Sequence, residues 1–132
     1  PAAAWTNAGV CVKSRDLGRA EGYFREALRV APDYPEALAQ MALIAFGRQD
    51  YLRTRAFLQR YDVLKRPNPE LLYVGARSET ALGDVAAADL YATQLLQQFP
   101  QSPEAATLRS KHPRAPKIRN APPVWNRRLK ML

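Results

Sequence analysis

Apolar residues recur at helical spacing along most of the first 110 residues, broken at short intervals by turn-forming residues. Leu17, Ala20, Tyr23, Phe24, Ala27 and Leu28 make one such stripe. Tyr51, Phe57, Leu58, Tyr61 and Leu64 make a second, and Val85, Ala88, Tyr91, Leu95 and Phe99 a third. Residues three or four apart share one side of an α-helix, so each stripe predicts an amphipathic helix with that side in a core. The start signals agree. In Asn68-Pro69-Glu70 and Ser102-Pro103-Glu104 a capping side chain precedes a proline, whose missing N–H costs nothing in the first turn, and a glutamate that suits the positive end of the helix dipole. Asp16, Asp50 and Asp84 are placed to cap the helices that follow them. Seven helices are predicted, over 3–14, 17–31, 35–48, 51–64, 69–82, 85–98 and 103 to about 110.

These elements repeat. Pro35-Glu36, Pro69-Glu70 and Pro103-Glu104 are 34 residues apart, and Pro1 lies 34 residues before the first of them. Asp16, Asp50 and Asp84 keep the same interval, as do Tyr23, Phe57 and Tyr91, and Ala8, Ala42 and Ala76. A period of 34 is the length of one two-helix unit of the tetratricopeptide class. Short turns force consecutive helices into antiparallel contact. The expected organisation is three repeats (1–34, 35–68, 69–102) and the start of a further or capping helix to residue 110, followed by a tail over 111–132.

The residues themselves resemble a tetratricopeptide repeat: Ala8, Ala20, Phe24, Ala27 and Pro32 in the first unit, and Ala76, Gly83, Ala88 and Pro100 in the third. The middle unit departs from the pattern, with Thr54 where alanine is usual, Leu58 for the aromatic and Arg66 for the proline, which comes one position later as Pro67. The resemblance implies an all-α array stacking into a right-handed superhelix. A narrower likeness is carried by Gly22-Tyr23-Phe24-Arg25-Glu26-Ala27-Leu28, Ala37-Leu38-Ala39-Gln40-Met41-Ala42, Asp50-Tyr51 with Arg55, and Phe99-Pro100-Gln101-Ser102-Pro103-Glu104. These resemble the C-terminal repeats of the type IV pilus biogenesis lipoproteins, the PilF/PilW family. That resemblance implies a periplasmic scaffold held at the outer membrane by an N-terminal lipid, which helps the secretin pore assemble. The family's lipidated cysteine and earlier repeats have no counterpart here, so a fragment of a longer protein is expected.

The fold resemblance also implies where a partner sits. The first helix of each pair lines a groove, which here receives Trp5, Thr6, Val12 and Lys13, then Ala39, Gln40, Leu43 and Phe46, then Tyr73, Val74, Arg77 and Thr80. Only Lys13 and Arg77 are charged, which argues against a face built to grip a peptide carboxylate. Leu43, Phe46 and Tyr73 suit an amphipathic helix or an extended apolar segment, with Gln40 and Arg77 fixing its orientation. Packing of the same residues against neighbouring helices, the tail or further repeats is the alternative.

Composition changes this picture only at the C-terminus. The formal charge is +8, yet residues 1–108 hold as many acids as bases. The excess lies in Arg109, Lys111, Arg114, Lys117, Arg119, Arg127, Arg128 and Lys130, with no acid after Glu104. Pro113, Pro116, Pro122 and Pro123 forbid a continuous helix there, while Trp125, Leu129 and Leu132 would share one face of a short one. Docking on the exposed face of the last repeat, either its own or that of a neighbouring molecule by self-association through the tail, disorder, and binding to an anionic lipid or nucleic acid surface are the three readings of this tail; nucleic acid is the least expected partner.

No apolar run approaches the roughly 20 residues that cross a bilayer. One cysteine, Cys11, and one histidine, His112, are too few for a four-ligand zinc site, and Cys11 is expected to be buried as a small hydrophobe. No phosphate loop, nucleophile elbow or paired-carboxylate motif is present. The sequence therefore points to a non-catalytic interaction module without cofactor or metal, with a generic adaptor of the same fold as the alternative to the pilus reading.

Overall fold

The structure, a computed structural model, describes residues 1–111. Seven helices and no strands form among them: α1 (Ala2–Val12), α2 (Leu17–Val30), α3 (Pro35–Gly47), α4 (Tyr51–Asp62), α5 (Pro69–Leu82), α6 (Val85–Gln98) and α7 (Pro103–Lys111). The chain divides into two compact units, Pro1–Pro67 and Asn68–Leu132. The readings of His112 and of the tail fall outside the described residues, apart from Lys111 at the end of α7.

Each expected aspartate cap forms. The Oδ1 of Asp16, Asp50 and Asp84 accepts the backbone N–H of Arg19 (3.0 Å), Arg53 (3.2 Å) and Ala87 (3.0 Å). Each bond satisfies one of the donors that a helix start leaves open. Asn68 and Ser102 cap α5 and α7 through the N–H of Leu71 and Ala105, whereas Tyr34, before α3, makes no side-chain cap.

In the first unit α1 packs on α2, α3 on α4, and α2 also on α3. Phe24 is completely buried with Ala20, Met41 and Ile44. Its ring lies against Gly9, where an added Cβ would fall 2.5 Å from a ring carbon. Only a residue without a side chain admits that approach. In α4, Thr54 is fully buried where alanine was expected, and its hydroxyl donates to the Asp50 carbonyl at 2.8 Å, so the extra polar group is satisfied. Leu58, which replaces the expected aromatic, is 1% exposed. After α4 the chain turns through Lys65 at φ 57°, and the Tyr61 hydroxyl donates to the Arg66 carbonyl at 2.8 Å. Burial pushes the Tyr61 hydroxyl above its ordinary pKa.

In the second unit α5 packs on α6, and α7 on both. Leu72, Ala76, Ala92, Leu95 and Leu96 join Ala105 and Leu108 of α7 in one cluster, with Tyr73, Tyr91 and Phe99 at its margin. Gly75 repeats the role of Gly9: an added Cβ would lie 2.8 Å from the Tyr91 ring.

Three sequence expectations are corrected. Cys11 is exposed, because α1 buries Ala2, Thr6 and Gly9 and Cys11, two residues past Gly9, is turned about 200° away from it. Leu17 and Val85 belong to the predicted stripes but are 37% and 64% exposed. Each is the first residue of its helix, beyond the reach of the partner helix.

Candidate functional site

The residues expected to meet a partner lie on α1, α3 and α5, except Lys13, which caps the end of α1. In the first unit two of them touch across successive hairpins: the Lys13 ammonium donates to Gln40 Oε1 at 2.8 Å. Leu43 and Phe46 follow Gln40 at three-residue steps, which keeps them on one side of α3. Both are half-buried, and the Phe46 ring meets Tyr51 edge-on at 6.1 Å. Trp5 is also half-buried. It packs against the Ala2, Ala27 and Ala37 cluster and lies 5.9 Å from Tyr23, over which Arg19 sits at 5.6 Å. Part of the Trp5 surface is therefore already used within its own hairpin. Thr6 is buried, its hydroxyl bonded to the Ala2 carbonyl.

In the second unit Arg77 donates to the Tyr73 hydroxyl at 2.7 Å and lies 5.8 Å from that ring's centroid. Tyr73 and Arg77 are one helical turn apart on α5 and half-buried. Val74 is only 3% exposed, so its side chain is covered and leaves almost no surface for a partner, contrary to expectation. Thr80 is exposed and bonds back to the Ala76 carbonyl.

Sequence reasoning missed Glu21. It is 7% exposed and both its oxygens are held, Oε1 by Arg48 at 2.8 Å and Oε2 by Arg25 at 3.0 Å. The Arg48 hydrogen bond keeps its pKa below the ordinary carboxylate value against the opposing effect of burial, and the charges of Arg25, Arg48 and Arg53 add to the lowering. Arg48 caps the end of α3, so the pair ties α2 to the end of α3. A carboxylate set between Ala20 and Phe24, at core spacing, was the signal that could have revealed it.

These faces offer apolar side chains beside Lys, Arg and Gln donors, the chemistry of a protein-binding surface. Among the described residues no group of three or more His, Cys, Asp or Glu is placed to hold a metal ion, and no helix is long and apolar enough to cross a membrane.

Two solved structures share this fold. One, from work on the functional characterization of Pseudomonas aeruginosa pilF, superposes with a TM-score of 0.77 at 22% identity over 83% of this chain. The other, PilW, described as a widely conserved type IV pilus biogenesis factor, gives 0.69 at 28% identity over 82%. The chain spans 50% of each of those structures. No protein-family model matches the chain, and no curated protein matches it. The architecture is thus that of the tetratricopeptide pilus proteins PilF and PilW, and it supports a protein-interaction role.

Proposed function

We propose that this chain is a non-catalytic scaffold in type IV pilus biogenesis, acting on the periplasmic side of the outer membrane to help a secretin assemble. The observation that carries the reading is the superposition on PilF over 83% of the chain. The half-buried Lys13, Gln40, Leu43 and Phe46 support it, as does the Tyr73–Arg77 pair, because they leave apolar area and hydrogen-bond donors at the surface. On this reading residues 1–34, 35–68 and 69–102 act as three repeats and α7 as a cap. The partner meets Trp5, Lys13, Gln40, Leu43 and Phe46 in the first unit and Tyr73 and Arg77 in the second. Membrane attachment, on the same reading, comes from a lipid carried elsewhere in the full protein.

Co-purification with a type IV pilus secretin tests the assignment. Recovery of secretin with the wild-type chain, and its loss with Phe46→Glu, is the expected result. Absence of secretin, together with capture of a different complex that Phe46→Glu also abolishes, would replace the pilus assignment with a general adaptor role.

A further inference from the structure

The charge of the first unit is concentrated on one element. Residues 1–50 hold six Lys and Arg against six Asp and Glu, whereas 51–66 hold Arg53, Arg55, Arg60, Lys65 and Arg66 against Asp62, a net of +4. The basic excess of the unit therefore lies on α4 and the turn after it. Arg53 and Arg60 are exposed, and Arg60 meets the Pro32 carbonyl and the Phe57 ring, neither of which neutralises it.

The same helix carries an uncovered apolar strip. Leu52 and Val63 are 65% and 74% exposed, and Ala56 and Gln59 are exposed between them. At about 100° per residue these four side chains leave the helix within about 60° of one another; Val63, the C-cap, keeps helical backbone angles. The buried Thr54, Leu58 and Tyr61 leave it on the opposite side. The strip runs about 16 Å along the helix axis. Arg53 and Arg60 flank it on one side and Arg55 on the other.

We propose that this strip docks an acidic amphipathic helix of a partner protein, with the partner's apolar residues along Leu52, Ala56 and Val63 and its carboxylates beside Arg53 and Arg60. The shape argues for a helix. A straight row of this length matches the contact that two helices make when they cross at a shallow angle. An extended segment would find no backbone partners there, because those of α4 are engaged within the helix, whereas a helix pairs its own. Charge argues for an acidic one. Two copies of the face laid together would set arginine flanks against each other, with Asp62 the one acid in 51–66, so a second copy fits poorly. A lipid surface fits poorly too, because the strip is narrow and carries none of the aromatic anchors of an interfacial helix. Opposite charge speeds encounter and selects the partner, while Leu52 and Val63 supply the contact that is buried on binding. The strip lies on a different helix from Leu43 and Phe46, so the inference stands independently of the secretin reading.

Methyl spectra of the full-length chain test the site, titrated with a synthetic helical peptide that carries leucines at alternating four- and three-residue steps and glutamates on both flanks. The expected result is saturable movement of the Leu52 and Val63 signals while those of the buried Leu38 and Leu58 stay. Leu52→Glu should weaken the association by about tenfold or more. Position 52 lies in the first turn of α4, where an acid suits the helix dipole, so this variant keeps the fold. Arg53→Gln should weaken binding less, as should about 0.5 M NaCl added to the wild type. A peptide with lysine at every glutamate position should leave the signals in place. Unmoved Leu52 and Val63 signals would overturn the proposal, as would equal binding of the lysine peptide. Movement of the Leu43 methyls instead would overturn it by placing the peptide on α3. So would Leu52 and Val63 shifts that grow with protein concentration without peptide, which would assign the face to a second copy. A response to phosphatidylglycerol vesicles but not to the peptide would overturn it in favour of a lipid surface.

Discussion

The hairpins α1–α2 and α5–α6 solve the same packing problem in slightly different registers. Each lets two helices approach by setting an aromatic ring on a glycine, Phe24 on Gly9 in one and Tyr91 on Gly75 in the other. The repeat interval would carry Gly9 to position 77 and Phe24 to position 92, where Arg77 and Ala92 stand instead. The rings also differ in freedom. Phe24 is fully enclosed, whereas Tyr91 is half-buried at the margin of its cluster. The 34-residue period therefore governs the caps closely, since a cap bond depends on a few adjacent residues. It governs core contacts loosely, because a ring and the gap it fills can shift together.

That difference can be pressed by substitution. The largest effect is expected from Phe24→Ala, which empties the centre of the first unit and should cost about 4 kcal/mol in denaturant unfolding. Next comes a paired test. Gly9→Ala drives a methyl into a ring that cannot move and should cost about 3 kcal/mol, whereas Gly75→Ala should cost about 1 kcal/mol as Tyr91 swings outward. Equal costs would remove the distinction between the two hairpins. Glu21→Gln tests the carboxylate support of the first hairpin, and loss of the charge-assisted bonds should cost about 2 kcal/mol at neutral pH. The folded-state pKa of Glu21 lies below its unfolded value near 4.5. Its contribution is therefore complete above that value and fades as pH falls through the lower folded-state pKa. An acid unfolding series should show a steeper loss in wild type than in Glu21→Gln. The smallest effect concerns the turns before Asp50 and Asp84, where Gln49 has φ 60° and Gly83 has φ 81°. Gln49→Gly should stabilise by about 1 kcal/mol, because glycine occupies the left-handed region without a Cβ clash.

Much of the fold was legible because its signals are local. Aspartate and asparagine caps, prolines in first turns and apolar stripes need only a few adjacent residues, and the helices α5 and α6 have the predicted bounds. α4 ends at Asp62 rather than 64 because the Tyr61 hydroxyl reaches the Arg66 carbonyl and closes the turn early, a contact that no periodicity encodes. The Glu21–Arg48 pair spans 27 residues, and the Gly9–Phe24 contact depends on how two helices meet. Both are long-range facts, written only in the packing. The same limit applies to the candidate faces. The fold resemblance pointed to Gln40, Leu43 and Phe46 of α3, but the burial of Val74 and the engagement of Trp5 by Tyr23 depend on neighbouring helices.

The most direct test of the account is the affinity of the purified chain for a type IV pilus secretin, measured for wild type and Phe46→Glu with helicity and melting temperature recorded in parallel. A scaffold that binds through the Leu43–Phe46 face predicts at least a tenfold weaker association, about 1.4 kcal/mol, in a variant that remains folded. A folded Phe46→Glu chain with wild-type affinity would contradict it.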